Sequence, residues 1–315
     1  MKRLALGTFF AAVAVLFAAA ASALSAAPPV LRVTLLGTGN PRPAVRGGPA
    51  ILVEGDGRAL LFDAGRAAEE ALFARDPALK IDALFLTHLH SDHTVGIPDV
   101  WLTGWLFGRA IPLRVFGPAG TAALCRGLQE AYAFDVHVRR DVDEKLPAAG
   151  ARLDAREVSD GSVVDEGRLR VTAFAVDHGP VRPALGYRID AGGRSVVLSG
   201  DTRPSENLVK FARGADVLVH EVIAPDAERG GAAASFSREQ RERIIAHHST
   251  PEQAGEIFAK VKPKLAVYSH VVPSFATAAD LVAPTRRTYS GPLEVGEDGM
   301  TIEIGEAVRV IRPRR

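Results

Sequence analysis

The sequence predicts an α/β fold, organised as a four-layer αββα sandwich. Strand-like and helix-like stretches alternate along the 315-residue chain. Neighbouring strands joined by Gly-rich turns are as common as helical crossovers, so each half can build a sheet. No Pro/Gly/Ser-rich linker separates the halves, so residues 27–315 read as one domain with helices on the outside.

Each element follows from its local pattern. "VLRVTLLGTGNP" is an apolar run that ends at Gly37 and Gly39, a strand running into a turn. "PAILVEG" and "RALLFDAG" are two short strands around the turn Gly55-Asp56-Gly57. "RAAEEALFARD" has helical spacing, and "IDALFLTH" is a buried strand. "IPDVWLTGWLFGR" is apolar at helical spacing. Its two tryptophans suit core packing, a pocket wall or a homodimer interface. "PLRVFGP" reads as strand, "AGTAALCRGLQEAYAF" as helix and "DVHVRR" as strand. Three strands follow, "LRVTAFAVDHG", "ALGYRIDAGG" and "RSVVLSGDT". "SENLVKFARGA" is helical and "DVLVHEV" a strand. The Gly/Ala/Ser-rich segment 228–242 reads as a mobile loop over the site face. "STPEQAGEIFAKVK" opens with a Ser/Thr cap and Pro and runs on as a helix. "KLAVYSH" is a strand, "ADLVAPTRRTY" a short helix and "GPLEVGEDGMTIEIG" a closing hairpin.

The first residues have the pattern of an export signal. Lys2 and Arg3 precede the apolar "LALGTFFAAVAVLFAAAA", and Ala21-Ser22-Ala23 and Leu24-Ser25-Ala26 offer cleavage sites. The expectation is a signal peptide over 1–26, a periplasmic or secreted chain from Ala27, and no stable membrane association after cleavage. The formal charge is +1, and about −1 once Lys2 and Arg3 are removed. A near-neutral chain is not a natural polyanion binder, so nucleic acid is not an expected partner. The single cysteine, Cys125, excludes an intrachain disulfide and a cysteine metal cluster. It reads as a packed small hydrophobe.

Histidines and carboxylates gather at predicted strand ends. "THLHSDH" supplies His88, His90, Asp92 and His93 after "ALFL". His178 follows "VTAFAVD", Asp201 follows "RSVVLSG", Glu221 follows "DVLVH" and His270 follows "KLAVYS". His248 stands just before the capped helix. Strand ends of α/β sheets share one rim, where such residues can converge on metal. Imidazole and carboxylate are the ligands left when cysteine is absent. Residues two apart in an extended stretch face one way, so His88 and His90 can grip one ion. Asp92 and His93 can serve a second, and Asp201 is the candidate bridge. A water shared by the two ions would ionise near neutral pH. His137 and His220 lack partners by sequence and read as structural, while either His247 or His248 could lie at the surface.

These residues resemble the metallo-β-lactamase fold superfamily, in its ribonuclease Z and arylsulfatase-like branch. "LLGTGNP", "LFDAG", "THLHSDHTVGIPDV", "FGPAG", "SGDT", "ADVLVHE" and "HST" occur in the expected order. "VHE" and "HST" set the branch apart from glyoxalase II-like and true β-lactamase members. The resemblance implies His88, His90 and His178 on one zinc. It places Asp92, His93 and His270 on the other, with Asp201 bridging. His248 would stabilise the transition state or protonate the leaving group, Glu221 would orient it, and Asp92 could take a proton from the attacking water. Mn2+ or Fe could replace either Zn2+.

Two departures shape the functional expectation. Ribonuclease Z enzymes commonly carry a long arm between the His178-like and Asp201-like positions, which here lie only 23 apart. The signal-like start points outside the cell. The expectation is therefore an exported dinuclear zinc hydrolase of sulfate esters, arylsulfatase-like, with a small-molecule ester as partner and a homodimer as candidate assembly. The alternatives are a ribonuclease Z-like phosphodiesterase on small phosphodiesters and, behind it, a tRNA 3′-processing endoribonuclease. β-Lactam or lactone hydrolysis gives the "HST" histidine no role, and metal binding without turnover leaves the acid residue without one.

Overall fold

A computed structural model describes residues 29–41, 46–78, 80–227 and 236–313. The expected signal segment 1–26 and its cleavage sites lie outside the described residues.

Two sheets form the centre. The first half supplies β1 (Leu31–Gly37), β2 (Ala50–Gly55), β3 (Arg58–Phe62), β4 (Ala83–Phe85), β5 (Leu113–Gly117) and β6 (Leu153–Glu157). The helices between them are α1 (Ala68–Arg75), α2 (Ser91–Thr94), α3 (Ile97–Leu106), α4 (Thr121–Ala131) and α5 (Ala133–His137). The second half supplies β7 (Val163–Glu166), β8 (Leu169–His178), β9 (Val181–Ala191), β10 (Arg194–Leu198), β11 (Val217–Ile223), β12 (Leu265–Val272) and β13 (Leu293–Val295). With these strands run α6 (Glu206–Ala212), α7 (Arg238–Ile245), α8 (Pro251–Val261) and α9 (Ala278–Thr285). The chain then returns to the first sheet with β14 (Thr301–Ile304) and β15 (Val308–Ile311). Strand order is β15-β14-β1-β2-β3-β4-β5-β6 in one sheet and β13-β12-β11-β10-β9-β8-β7 in the other.

Three apolar layers hold the sandwich together, as the αββα arrangement requires. Between the sheets pack Leu35, Phe62, Phe85, Tyr187, Leu198 and Val219. Phe62 and Phe85 stack at 5.0 Å, and Phe85 and Phe116 at 4.9 Å. The buried Tyr187 hydroxyl donates to the Leu86 carbonyl at 2.7 Å. Behind the first sheet, Leu61, Leu84 and Val115 meet Leu72, Trp101 and Cys125 from the helices. Behind the second, Val197, Leu218 and Ala266 meet Leu208, Phe258 and Leu281. Both tryptophans of "WLTGWLF" and Cys125 are buried, so core packing is their role.

Three local expectations fail. "DVHVRR" is not a strand: α5 covers part of it and a wider helical turn follows at Val138–Val142. Ion pairs one turn apart, His137–Asp141 at 3.0 Å and Arg139–Asp135 at 2.8 Å, favour the helical form. The alternation that suggested a strand lies on an exposed excursion with no sheet beside it. "GPLEVGEDGMTIEIG" is no hairpin. β13 pairs parallel to β12, whereas β14 pairs antiparallel to β1 and β15, so the segment crosses between sheets. The crossing is tied down by Gly296 N–H to Tyr268 O and by Thr38 donating to Asp298. Within 228–242, Ser237 and Gln240 form a capping box that starts α7. Residues 228–235 lie outside the described residues.

Candidate metal centre

The predicted ligands meet at one rim of the sandwich. His88 and His90 lie in extended chain beyond β4, and His90 caps α2, whose single turn carries Asp92 and His93. His178 ends β8 where the β8–β9 register shifts between Val176 and His178. His270 lies in β12 opposite a register shift in β11 between His220 and Val222. Bulges bend strands and re-aim side chains, and here two of them turn a histidine toward the rim. His270 also takes a left-handed backbone, φ 44°, and Asp63 does so at φ 59°. Such conformations cost of order 1–3 kcal/mol each and persist only where the surroundings impose them. Asp201 follows Gly200 at φ 59°, where a Cβ would lie 2.5 Å from the Leu185 carbonyl oxygen. Only glycine fits there, and it sets the turn that aims Asp201.

The donor atoms form two groups that share one oxygen. His88 Nε2 and His178 Nε2 lie 3.0 and 3.4 Å from His90 Nδ1, and each is 3.9 Å from Asp201 Oδ2. On the other side, His93 Nε2 and His270 Nε2 are both 3.4 Å from Asp201 Oδ2. They lie 3.7 and 3.3 Å from Asp92 Oδ2. Asp201 therefore faces both groups, and all seven predicted ligands are brought together.

The set fits divalent cations. His93 Nε2 and Asp201 Oδ1 are buried and have no hydrogen-bond partner, which is costly for polar atoms unless an ion engages them. All donors are imidazole or carboxylate, the usual set where thiolate is missing. Burial pushes the His88 and His178 imidazoles down, holding them in the neutral form that can ligate. Burial also disfavours charge on His93, but Asp201 and Asp63 outweigh it and raise that imidazole. The two carboxylates thus attract positive charge to this position, as a proton or as a cation. Burial alone would raise Asp201, yet His270 and His93 hold it well below the usual carboxylate range.

Behind the ligands lies a supporting layer. Asp63 Oδ2 accepts from His93 Nδ1 at 2.8 Å and from the Thr87 hydroxyl at 2.9 Å, while Oδ1 accepts from Thr87 N–H at 2.8 Å. This carboxylate–histidine pair fixes which ring nitrogen of His93 faces the centre. His178 Nδ1 donates to the His247 carbonyl at 2.9 Å. Asp63 and Thr87 were not predicted. The signal was present in "LFDAG", an aspartate at the end of β3.

His248 and Glu221 lie beside the centre. His248 Nδ1 is 3.2 Å from Glu221 Oε2. The two buried atoms face each other as an ion pair. Glu221 Oε1 accepts the backbone N–H groups of Ser249 and Thr202 at 3.0 and 3.2 Å, which locks the carboxylate. Burial lowers the His248 imidazole, but the Glu221 charge outweighs this and raises it to about 9. His247 is half-buried, and burial together with neighbouring imidazoles pushes it down to about 4. Of the other histidines, His220 is buried with Nδ1 donating to the Glu221 carbonyl, and His137 is exposed beside Asp141. Neither joins the two donor groups.

Comparison with known proteins decides the family. A beta-lactamase superfamily domain model matches residues 58–271. The chain belongs to the metallo-β-lactamase fold superfamily, in its ribonuclease Z branch. It is 35% identical over 288 residues to "Ribonuclease Z" of Mycolicibacterium gilvum (strain PYR-GCK), covering 89% of this chain and 98% of the relative. Among solved structures, the fold is shared with the metallo-beta-lactamase fold protein YhfI of Bacillus subtilis. That likeness has TM-score 0.66 at 21% identity and covers 86% of this chain and 98% of YhfI. It is shared too with human tRNase Z, short form, at TM-score 0.63 and 22% identity, covering 87% of this chain and 99% of that one. The chain is a metal-dependent hydrolase acting on ester bonds.

These findings correct two expectations. The sulfate-ester reading is overturned by relatives named Ribonuclease Z that match this chain over nearly their whole length. A sulfate ester and a phosphodiester both present tetrahedral oxyanions, so the ligand set alone could not separate them. The short His178–Asp201 spacing is no obstacle either. A relative matched over 98% of its length has little room for a long arm that this chain lacks. The expectation that nucleic acid is no partner falls with it. Net charge is a sum over the whole chain and says nothing of the field at a site designed to hold cations.

Proposed function

We propose that the chain is a metal-dependent phosphodiesterase of the ribonuclease Z type, cleaving phosphodiester bonds of RNA. The observation that carries this reading is the placement of Asp201 Oδ2 within 3.4–3.9 Å of four imidazoles from both donor groups. The names of the relatives supply the bond type.

His88, His90 and His178 would hold one divalent cation, Asp92, His93 and His270 a second, and Asp201 would lie between them. Zinc suits these donors, and Mn2+ or Fe could take the same places. Bound there, such ions would supply Lewis acidity to the phosphoryl oxygens and lower the pKa of the attacking water.

The chain's own residues handle the protons. With Nδ1 committed to Glu221, His248 has Nε2 left to give a proton to the departing oxygen. Glu221 keeps that imidazole charged at neutral pH and fixes its ring. Asp92 carries the opposite task. Burial would raise its carboxyl, but the hydrogen bond from His270 and the charge of His93 hold it ionised, ready to accept a proton from the attacking water. A protonated acid and an ionised base on one rim are what hydrolysis near neutral pH needs.

Export forms part of the proposal and rests on Lys2, Arg3, the apolar run and the small residues at 21–26. Among the described residues, no helix is long and apolar enough to cross a membrane. The test uses protein beginning at Ala27, a 3′-extended tRNA precursor and a short oligoribonucleotide. Cleavage that requires a divalent metal and stops with a chelator supports the reading. A metal-loaded protein that leaves both RNAs intact refutes it.

A further inference from the structure

The metal centre opens into a cleft of about 580 Å³ whose walls are mostly carbon. His90, Asp92, Asp201, His248 and His270 line one part of it. Ile223, Ile245 and Val272 line much of the remainder, together with two aromatic rings, Phe236 and Phe275. Phe236 is 50% exposed and Phe275 37%. Among the described residues, Arg241 is the one lysine or arginine that lines it.

This distribution speaks about the substrate. Flat carbon surface, held partly open to solvent beside the reacting centre, suits a planar heterocycle, whose face stacks on aromatic rings whatever its edge pattern. We propose that Phe236 and Phe275 form a stacking platform for the nucleobase next to the scissile phosphate, so that the cleft selects unpaired nucleotides. Paired bases are stacked on their neighbours and offer no free face. This proposal rests on the phosphodiesterase reading and names the feature of RNA that the site grips.

Two diesters with the same leaving group test it. One is the p-nitrophenyl ester of uridine 5′-monophosphate, the other methyl p-nitrophenyl phosphate, which has no base. Stacking on an aromatic side chain gives roughly five- to hundredfold per base. Phe236→Ala and Phe275→Ala should each raise KM for the uridine diester by a factor in that range. kcat should stay within about twofold, and both constants for the methyl diester should be unchanged. Phe→Tyr at either position should retain the wild-type KM, and Phe→Leu should lose most of it while keeping apolar area. Calorimetric binding of uridine 5′-monophosphate gives a readout that needs no turnover, and the alanine variants should weaken it by the same factor. Equal losses on the two diesters, or unaltered uridine 5′-monophosphate binding, would overturn the platform. Failure of wild-type protein to cleave either diester would instead count against the phosphodiesterase reading, and the binding experiment would still decide the platform. Both rings are exposed, so unchanged Tm is expected for every variant.

Discussion

Replacing Glu221 by Gln removes one charge and keeps the shape of the side chain. In the native protein burial lowers His248, but that charge, helped by Asp201, raises it from near 6.5 to about 9, a net difference equivalent to about 3 kcal/mol in favour of the imidazolium. Without it, burial and His93 are opposed by Asp201 alone, and the imidazole should fall to about 6.5 or lower. At pH 8 a group of pKa 9 is about 90% protonated, whereas one of pKa 6.5 is about 3% protonated. If His248 donates the proton, kcat at pH 8 on a diester with a poor leaving group should drop roughly thirtyfold from protonation alone. The alkaline limb of the pH–rate profile should move down by about two and a half units. Cations bound nearby would lower both limbs, so the difference between the two proteins is what is read. Stability carries the same sign. A raised imidazole contributes stability that is complete below about pH 6.5 and fades as pH rises through about 9. The variant should lose this component, so Tm at pH 6 should fall more than Tm at pH 10. His248→Ala should abolish the limb and still bind metal. An unchanged limb and rate in Glu221→Gln would refute the acid role.

Three further outcomes follow from the geometry. Asp63→Ala leaves His93 Nδ1 without its 2.8 Å partner and should weaken metal affinity by about 10–100-fold, read by competition with a chromophoric chelator. Asp201→Ala removes the oxygen that faces both donor groups. It should abolish hydrolysis and cut metal content, whereas wild-type protein at metal concentrations of about 100 times Kd should gain about 2.7 kcal/mol of stability by thermal denaturation. Gly200→Ala would place a Cβ 2.5 Å from the Leu185 carbonyl oxygen at φ 59°, so it should cost at least about 1–3 kcal/mol in denaturant titration and loosen metal binding through Asp201.

Much of this architecture was legible because buried strands and capped helices leave strong marks. Thr250 followed by Pro251 announces α8, and the box formed by Thr250 and Gln253 is present in the structure. What escaped notice lies at edges. β6, "LDARE", and β7, "VVDE", are short and charged because edge strands pack on one side or hardly at all, and so show little apolar alternation. "DVHVRR" misled for the opposite reason: period-two spacing on a segment with no sheet to join. At the site, histidine and aspartate at strand ends located the donor cluster, because those residue types have few reasons to cluster. Asp63 was missed because its role depends on a neighbour 30 positions away in sequence. The bond hydrolysed was not legible either. The seven proposed ligands and the proposed acid suit any tetrahedral oxyanion, and only the relatives distinguish phosphorus from sulfur.

The most direct measurement titrates metal-free protein, starting at Ala27, with Zn2+ while following hydrolysis of an RNA phosphodiester. The account predicts that activity rises to a plateau at two equivalents per chain and that mass spectrometry finds two ions retained. A plateau at one equivalent, or two bound ions with no phosphodiester cleavage, would contradict it.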